Sequence, residues 1–388
     1  MKRRLRPSLR GRVRFALESC SIDSGGVATC DLGPEARQPT TPKAPQFLNI
    51  MTLGCCMEDV MTQLLERSFP RMNMGASTLM LVLSVGCGTN TDTGDESPAA
   101  DVDDDGVEGC LSPGDHDLQV IVAGFEQPFR VHIPPALEGL APVVVQLHGA
   151  GGTGEEMDRI TGLSSLADDE GFMVITPEGA GEAFQTWNAG IAFGDTDHVD
   201  TLGAAIDRTL TLITCDGGAM GDPRRVYVAG QSNGAMMAYR LACSRSDLVR
   251  AIVSGAGYTG NTDETGAEIF PCDLERPVPI LQMNGGQDRC VPIEGRGNAI
   301  PPAEENVSAW RERNGCETGG TDTTDALGVR RRRWSCDGNA AVEWITEDAH
   351  GHAWAGSNPS VGLSATTCGA PSESFSATEE LWRFFQAH

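Results

Sequence analysis

Lysine is nearly missing from this 388-residue sequence: Lys2 and Lys43 are the only two. Over residues 88–388 the strong bases are 18 arginines, set against 47 aspartates and glutamates, a net of −29. A chain of that sign repels a phosphate backbone, so nucleic acid is not an expected partner. A nucleotide-cradling P-loop is excluded as well, because no glycine-rich turn ends in Gly-Lys-Ser/Thr. No two cysteines stand in C-x-x-C spacing, which removes the usual zinc pattern. Aromatic residues make up 5% of the chain, and no apolar run approaches the roughly 20 residues of a spanning helix. What is present is 40% apolar residues, 47 glycines and 22 prolines, which excludes coiled coil, collagen and wholesale disorder. The length holds two average domains or one large α/β domain with a tail.

The tail opens with Lys2, Arg3, Arg4, Arg6, Arg10, Arg12 and Arg14, a like-charged run of the kind that stays solvated. Residues 61–87 carry an export pattern: Arg67 and Arg71, an apolar stretch from Leu79 to Val85, then Gly86 and Cys87. The end of that stretch resembles a bacterial lipoprotein cleavage box, with Ser84 as a departure, and this implies Cys87 as the lipidated residue. Residues 1–60 are then expected to be a disordered or non-native extension, with translation starting at Met61. Residues 88–109 hold eight acids and no base, the composition of a disordered tether. Asp101, Asp103, Asp105 and Gly106 make half of a calcium loop, but Ser112 stands at the twelfth position in place of a bidentate Glu. No metal is expected. Eight cysteines follow the tail, an even number that fits disulfides in an oxidising compartment. Cys316 and Cys336 flank a Gly/Thr-rich loop and are the pair expected to join.

From about residue 110 to 388, short apolar runs alternate with helical stretches, the rhythm of a mostly parallel, doubly wound α/β sheet with flanking helices, opening on an antiparallel pair. Strands are expected at Leu118–Val122, Arg130–Ile133, Val143–Leu147, Phe172–Thr176, Val226–Ala229, Ala251–Val253, Pro279–Met283 and Val342–Ile345. Helices are expected at Glu155–Asp169, Val199–Ile213, Ser232–Ala242, Ala303–Arg313 and Ala377–Gln386.

The run Val226-Tyr227-Val228-Ala229 enters Gly230-Gln231-Ser232-Asn233-Gly234, and a helical pattern follows. Strand, G-x-S-x-G, helix is the arrangement that holds a serine alcohol in a sharp turn with its oxygen open to a base. A second strand ends in His148-Gly149-Ala150-Gly151-Gly152, a glycine-rich exit whose backbone N–H at Ala150, with that of Asn233, suits a developing oxyanion. His148 precedes the turn and reads as structural. Acid and base should follow the serine at later strand ends. Asp288 lies in the loop after Pro279–Met283, and His352 lies beyond the strand ending at Ile345, where it is preferred over His350. His388 is terminal and expected to fray.

The segments LHGAGG, RRVYVAGQSNGAMMAY, DRCVP and GHAWAG resemble those of the polyhydroxybutyrate depolymerase-like and feruloyl/acetyl-xylan esterase family of α/β-hydrolases, over residues from about 115 to 386. The resemblance implies an α/β-hydrolase fold, a Ser232–Asp288–His352 triad and an acyl-enzyme route with no cofactor. Asn284 and Ala355 depart from the family pattern, as does Gln287 before the acid. Trp187 and Trp354 match family positions and are expected to line the substrate pocket, together with Gln231 and Gly149. The expected protein is an exported serine esterase acting on small or oligomeric esters, held to a bacterial membrane only through its N-terminal lipid. An acyltransferase of the same fold, or a catalytically silent surface-binding lipoprotein, are the other readings.

Overall fold

A computed structural model describes the backbone of Leu17–Ile22 and Ala28–Leu32, and residues 110–388 apart from 136, 183, 191–197, 216–217, 261, 263–268, 298 and 358–365. The chain divides into two units, Met1–Gly94 and Asp95–His388. In the first, β1 (Leu17–Ile22) pairs antiparallel with β2 (Ala28–Leu32), a hairpin inside the segment expected to be a disordered or non-native extension. The export signal at 61–87 with Cys87, the tether at 88–109 and the half calcium loop at 101–106 lie outside the described residues.

The second unit is built on a ten-stranded sheet. Its strands are β3 (Gly114–Val122), β4 (Phe125–Ile133), β5 (Leu140–Leu147), β6 (Met173–Pro177), β7 (Met220–Gln231), β8 (Ala251–Gly255), β9 (Ile280–Gly285), β10 (Thr321–Thr324), β11 (Arg330–Ser335) and β12 (Ala341–Glu347). Their order is β10-β11-β12-β9-β8-β7-β5-β6-β4-β3. The run from β6 to β12 is parallel, and an antiparallel hairpin closes each side, β3-β4 at one and β10-β11 at the other.

The continuous apolar runs follow from burial on both faces. Along β5, Val143, Val145 and Leu147 enter one core, while Val144 enters the other. The first core is filled by α3 (His198–Leu210), α4 (Asn233–Ser244) and α5 (Ala303–Arg313), through residues such as Leu202, Met237 and Trp310. The second is filled by α1 (Gly154–Thr161), α2 (Leu163–Glu170) and α6 (Ala377–Gln386), through Met157, Leu163 and Phe385.

Two departures from the sequence reading have local causes. The single helix expected at Glu155–Asp169 is two, because Gly162 adopts φ +63°, caps α1 and starts α2 in a new direction. The β10-β11 hairpin gave no strand signal, since all four residues of β10 are exposed and β11 is mostly arginine. Packing onto β12 decides it.

All eight cysteines of this unit pair, as Cys110–Cys215, Cys243–Cys272, Cys290–Cys368 and Cys316–Cys336. The last is the pair expected from the loop; the others join residues 29 to 105 positions apart, beyond any local signal.

Candidate active site

Strand β7 delivers Ser232 at the centre of the sheet, and α4 leaves immediately after it. Ser232 sits at φ 56°, ψ −119°, a backbone conformation that costs a non-glycine residue roughly 1–3 kcal/mol and that surrounding structure must enforce. Two glycines make room for it. A Cβ on Gly230 would stand 2.4 Å from the backbone of Gly234, and one on Gly234 would stand 2.2 Å from the carbonyl oxygen of Leu147. The elbow therefore folds back against both its own helix and strand β5, and neither position admits a side chain. The Ser232 N–H donates to the Gly255 carbonyl at 2.8 Å, which pins the elbow to β8. Its side chain is half-buried and carries no hydrogen bond among the described residues.

Asp288 and His352 come together at the C-terminal ends of β9 and β12, 64 residues apart in sequence. His352 Nδ1 donates to Asp288 Oδ2 at 2.6 Å, with both side chains almost fully enclosed, 3% and 1% exposed. The other carboxylate oxygen accepts the N–H groups of Cys290 and Val291, each at 2.8 Å. Three donors thus hold the Asp288 carboxylate in a fixed orientation. A proton on Nδ1 leaves Nε2 as the free acceptor.

The two remaining histidines at this end are occupied otherwise. His350 Nδ1 accepts from the Ser372 N–H at 3.0 Å, and burial pushes its pKa down to about 4, so the ring is neutral and structural. His148 donates from Nδ1 to the Gly149 carbonyl at 2.8 Å and accepts the Gly179 N–H at Nε2 at 2.9 Å. Burial lowers its pKa too. It shapes the glycine-rich loop and has no nitrogen left for proton transfer.

That loop lies against the elbow: a Cβ on Gly149 would be 3.5 Å from Ser232 Cβ. Gly151 N–H donates to the Gln185 carbonyl at 2.7 Å and Gly152 N–H to the Gly149 carbonyl at 3.0 Å. The N–H groups of Ala150 and Asn233 have no acceptor among the described residues, Asn233 being the first residue of α4. The Asn233 side chain is committed elsewhere, accepting from Trp187 N–H at 2.7 Å and donating to the Trp187 carbonyl at 3.0 Å.

Three of the residues expected around the pocket are buried. Trp187 is fully buried, with its indole N–H donating to the His148 carbonyl at 2.8 Å; it supports the glycine-rich loop from beneath instead of lining a pocket. Trp354 is 2% exposed and packs behind His352 against Gly255, its indole N–H on Thr378 Oγ1 at 2.9 Å. Gln231 is buried as well, and its side-chain amide donates to the main-chain carbonyl of His352. Gln231 and Trp354 nevertheless line, with His352, a small cavity of about 10 Å³. Asn284, a departure from the family pattern, accepts from Gln282 and from the Trp344 indole in the core. An aromatic that the sequence reading passed over is open to solvent here: Phe184, 58% exposed, whose ring lies 2.4 Å from where a Gly151 Cβ would be. Only its exposure singles it out, and exposure is not written in the local sequence.

No family model matches the chain. Among curated proteins, NocK of Nocardia uniformis subsp. tsuyamanensis, described as a candidate esterase, is 30% identical over 263 residues, covering 61% of this chain and 73% of its own length. The chain belongs to the feruloyl/acetylxylan esterase and polyhydroxyalkanoate depolymerase-like family of α/β-hydrolases. Feruloyl esterase B of Piromyces equi is 27% identical over 222 residues, 55% of this chain and 40% of that one. Poly(3-hydroxyalkanoate) depolymerase C of Paucimonas lemoignei is 26% identical over 263 residues, 61% and 60%. The esterase chain thus spans less than two thirds of these last two relatives. Membership assigns it to the carboxylic ester hydrolases.

Proposed function

We propose that the chain is an exported serine esterase that hydrolyses small or oligomeric carboxylic esters through an acyl-enzyme on Ser232. The observation that carries the reading is the buried Asp288–His352 pair at 2.6 Å, whose free Nε2 belongs to the same strand-end cluster as the strained Ser232 elbow.

In this reading His352 Nε2 takes the proton as Ser232 Oγ attacks the ester carbonyl, and Asp288 stabilises the resulting imidazolium. The N–H groups of Ala150 and Asn233 receive the oxyanion; loss of one such donor typically costs about 3 kcal/mol of barrier. His352 then protonates the leaving alcohol, and the acyl group stays on Ser232. A water deprotonated by His352 attacks the acyl-enzyme, releasing the acid and restoring the serine. The names of the relatives favour feruloyl, acetyl or hydroxyalkanoate esters, and exposed Phe184 beside the oxyanion loop suits an apolar acyl or alcohol group. Four disulfides support passage to an oxidising compartment, and lipidation at Cys87 would tether the enzyme there.

Hydrolysis of p-nitrophenyl acetate and butyrate by the parent and by Ser232→Ala tests the mechanism, with fluorophosphonate labelling alongside. The variant should fold, lose nearly all turnover and resist the label. Undiminished turnover in Ser232→Ala overturns the reading.

A further inference from the structure

At the start of strand β7, roughly 30 Å from Ser232 by strand length, a cavity of about 570 Å³ opens on the surface. In a chain whose 88–388 segment carries a net of −29, four of the eight residues lining it are arginines: Arg224, Arg225, Arg250 and Arg276. Carboxylates do not balance them. Arg224 and Arg225 share one buried carboxylate, Asp222, at 3.1 and 2.9 Å. Asp247 at the rim is taken by Arg245 at 3.0 Å. Arg250 and Arg276 reach no side-chain carboxylate among the described residues: Arg250 Nε donates to the main-chain oxygen of His388 at 2.6 Å, and Arg276 Nη2 to the Val249 carbonyl at 2.8 Å. Five guanidiniums therefore face Asp222, Asp247 and the chain terminus.

Two further observations favour an anion at this place. The Nη nitrogens of Arg250 have no acceptor among the described residues, and Arg276 Nη1 is buried without one. An unpartnered guanidinium nitrogen away from water is costly, and an anion placed beside it removes that cost. Arg250 and Arg276 also repel each other: after burial, that repulsion is the main reason Arg276 is held below the ordinary arginine range. The His388 ring adds no charge, since burial pushes its pKa down to about 4. Asp222, by contrast, stays ionised, held down to about 2 by its arginine bonds against a burial effect that runs the other way.

We propose that this arginine cavity is a binding site for a tetrahedral oxyanion of the phosphate or sulfate type, held by Arg250 and Arg276 with Arg224 and Arg225 at the rim. Guanidinium forks match the oxygens of such groups two at a time, which a lone ammonium does not. The site is independent of the ester chemistry. Either a free ion or a phosphate headgroup presents the required oxygens.

Calorimetric titration of the whole protein with inorganic phosphate and with sulfate, at low ionic strength, tests the proposal, with sedimentation on phosphatidylglycerol and on phosphatidylcholine vesicles as the second arm. Binding should saturate at one ion per chain and weaken at least tenfold in Arg250→Gln and in Arg276→Gln, while Ser232→Ala binds like the parent. Parental circular dichroism and melting temperature in either variant certify its fold. A calorimetric signal identifies a free ion as sufficient; binding to phosphatidylglycerol vesicles alone, lost in the same variants, identifies a headgroup. Absence of saturable binding in both arms, or binding that both substitutions leave intact, overturns the proposal.

Discussion

Cys290 is bonded to Cys368, and that bond joins the turn carrying Asp288 to the segment on which His352 rests. Asp288 lies two residues before Cys290 and accepts its N–H at 2.8 Å. One residue beyond Cys368, the Gly369 carbonyl accepts the His352 N–H at 3.2 Å, and the packing is so close that a Cβ on Gly351 would stand 2.2 Å from Gly369. Asp288 and His352 are thus held from outside by one crosslink. We expect Cys290→Ser/Cys368→Ser to lower kcat about tenfold or more with a smaller change in KM, since small displacements of a catalytic group are disproportionately costly. Its melting temperature should fall as well, by the equivalent of about 2–4 kcal/mol. Steady-state kinetics at a temperature where the variant is folded check this, and a kcat equal to the parent's removes the crosslink from the catalytic geometry.

Gln231 gives a second tie, from the residue before Ser232 to the carbonyl of His352. In Gln231→Ala that carbonyl loses its donor inside the protein, an effect of about 1–3 kcal/mol. The loss should appear in kcat, because the base is misaligned, while KM changes little. A rise in KM at constant kcat would show that Gln231 contacts substrate after all.

The neighbouring histidines should separate cleanly on substitution. His352→Ala should lose turnover by three or more orders of magnitude, as removal of a triad base does elsewhere. His350→Gln, which keeps an acceptor for the Ser372 N–H, should retain most of it. The reverse ranking reassigns the base.

Stability should fall with acid in a window set by the buried histidines. His350 binds its proton at about 4 in the folded chain and near 6.5 when unfolded. The unfolded state therefore binds more protons between those values, so stability present above about pH 6.5 is lost as pH falls toward 4. His148 acts in the same direction. Melting temperature measured from pH 7.5 to 4 should decline, and His350→Gln should flatten part of that decline. An identical slope in the variant would mean other groups control it.

Much of this was legible in the sequence, for reasons that differ by element. Helices α5 and α6 span the residues expected, because their periodic apolar stripes decide burial on their own. The elbow was readable since its two glycines answer a short-range steric demand at Gly230 and Gly234. What was not readable depends on distant partners. Trp187 and Trp354 carry no sign of which way they face until His148 and Thr378 arrive to bond their indoles. The pairing of Cys290 with Cys368 follows from how the β9 and β12 loops meet, and the Gln231 amide finds its acceptor 121 residues away.

One of the two outer strands, Thr321–Thr324, consists of threonines and an aspartate, all exposed. Open sheet margins invite a second copy to add itself on, and apolar side chains there make the addition stick. This margin offers none, and the Asp322–Arg330 pair sets charge across it. Molecules crowded together can therefore touch along this border without seeding fibrils or precipitates.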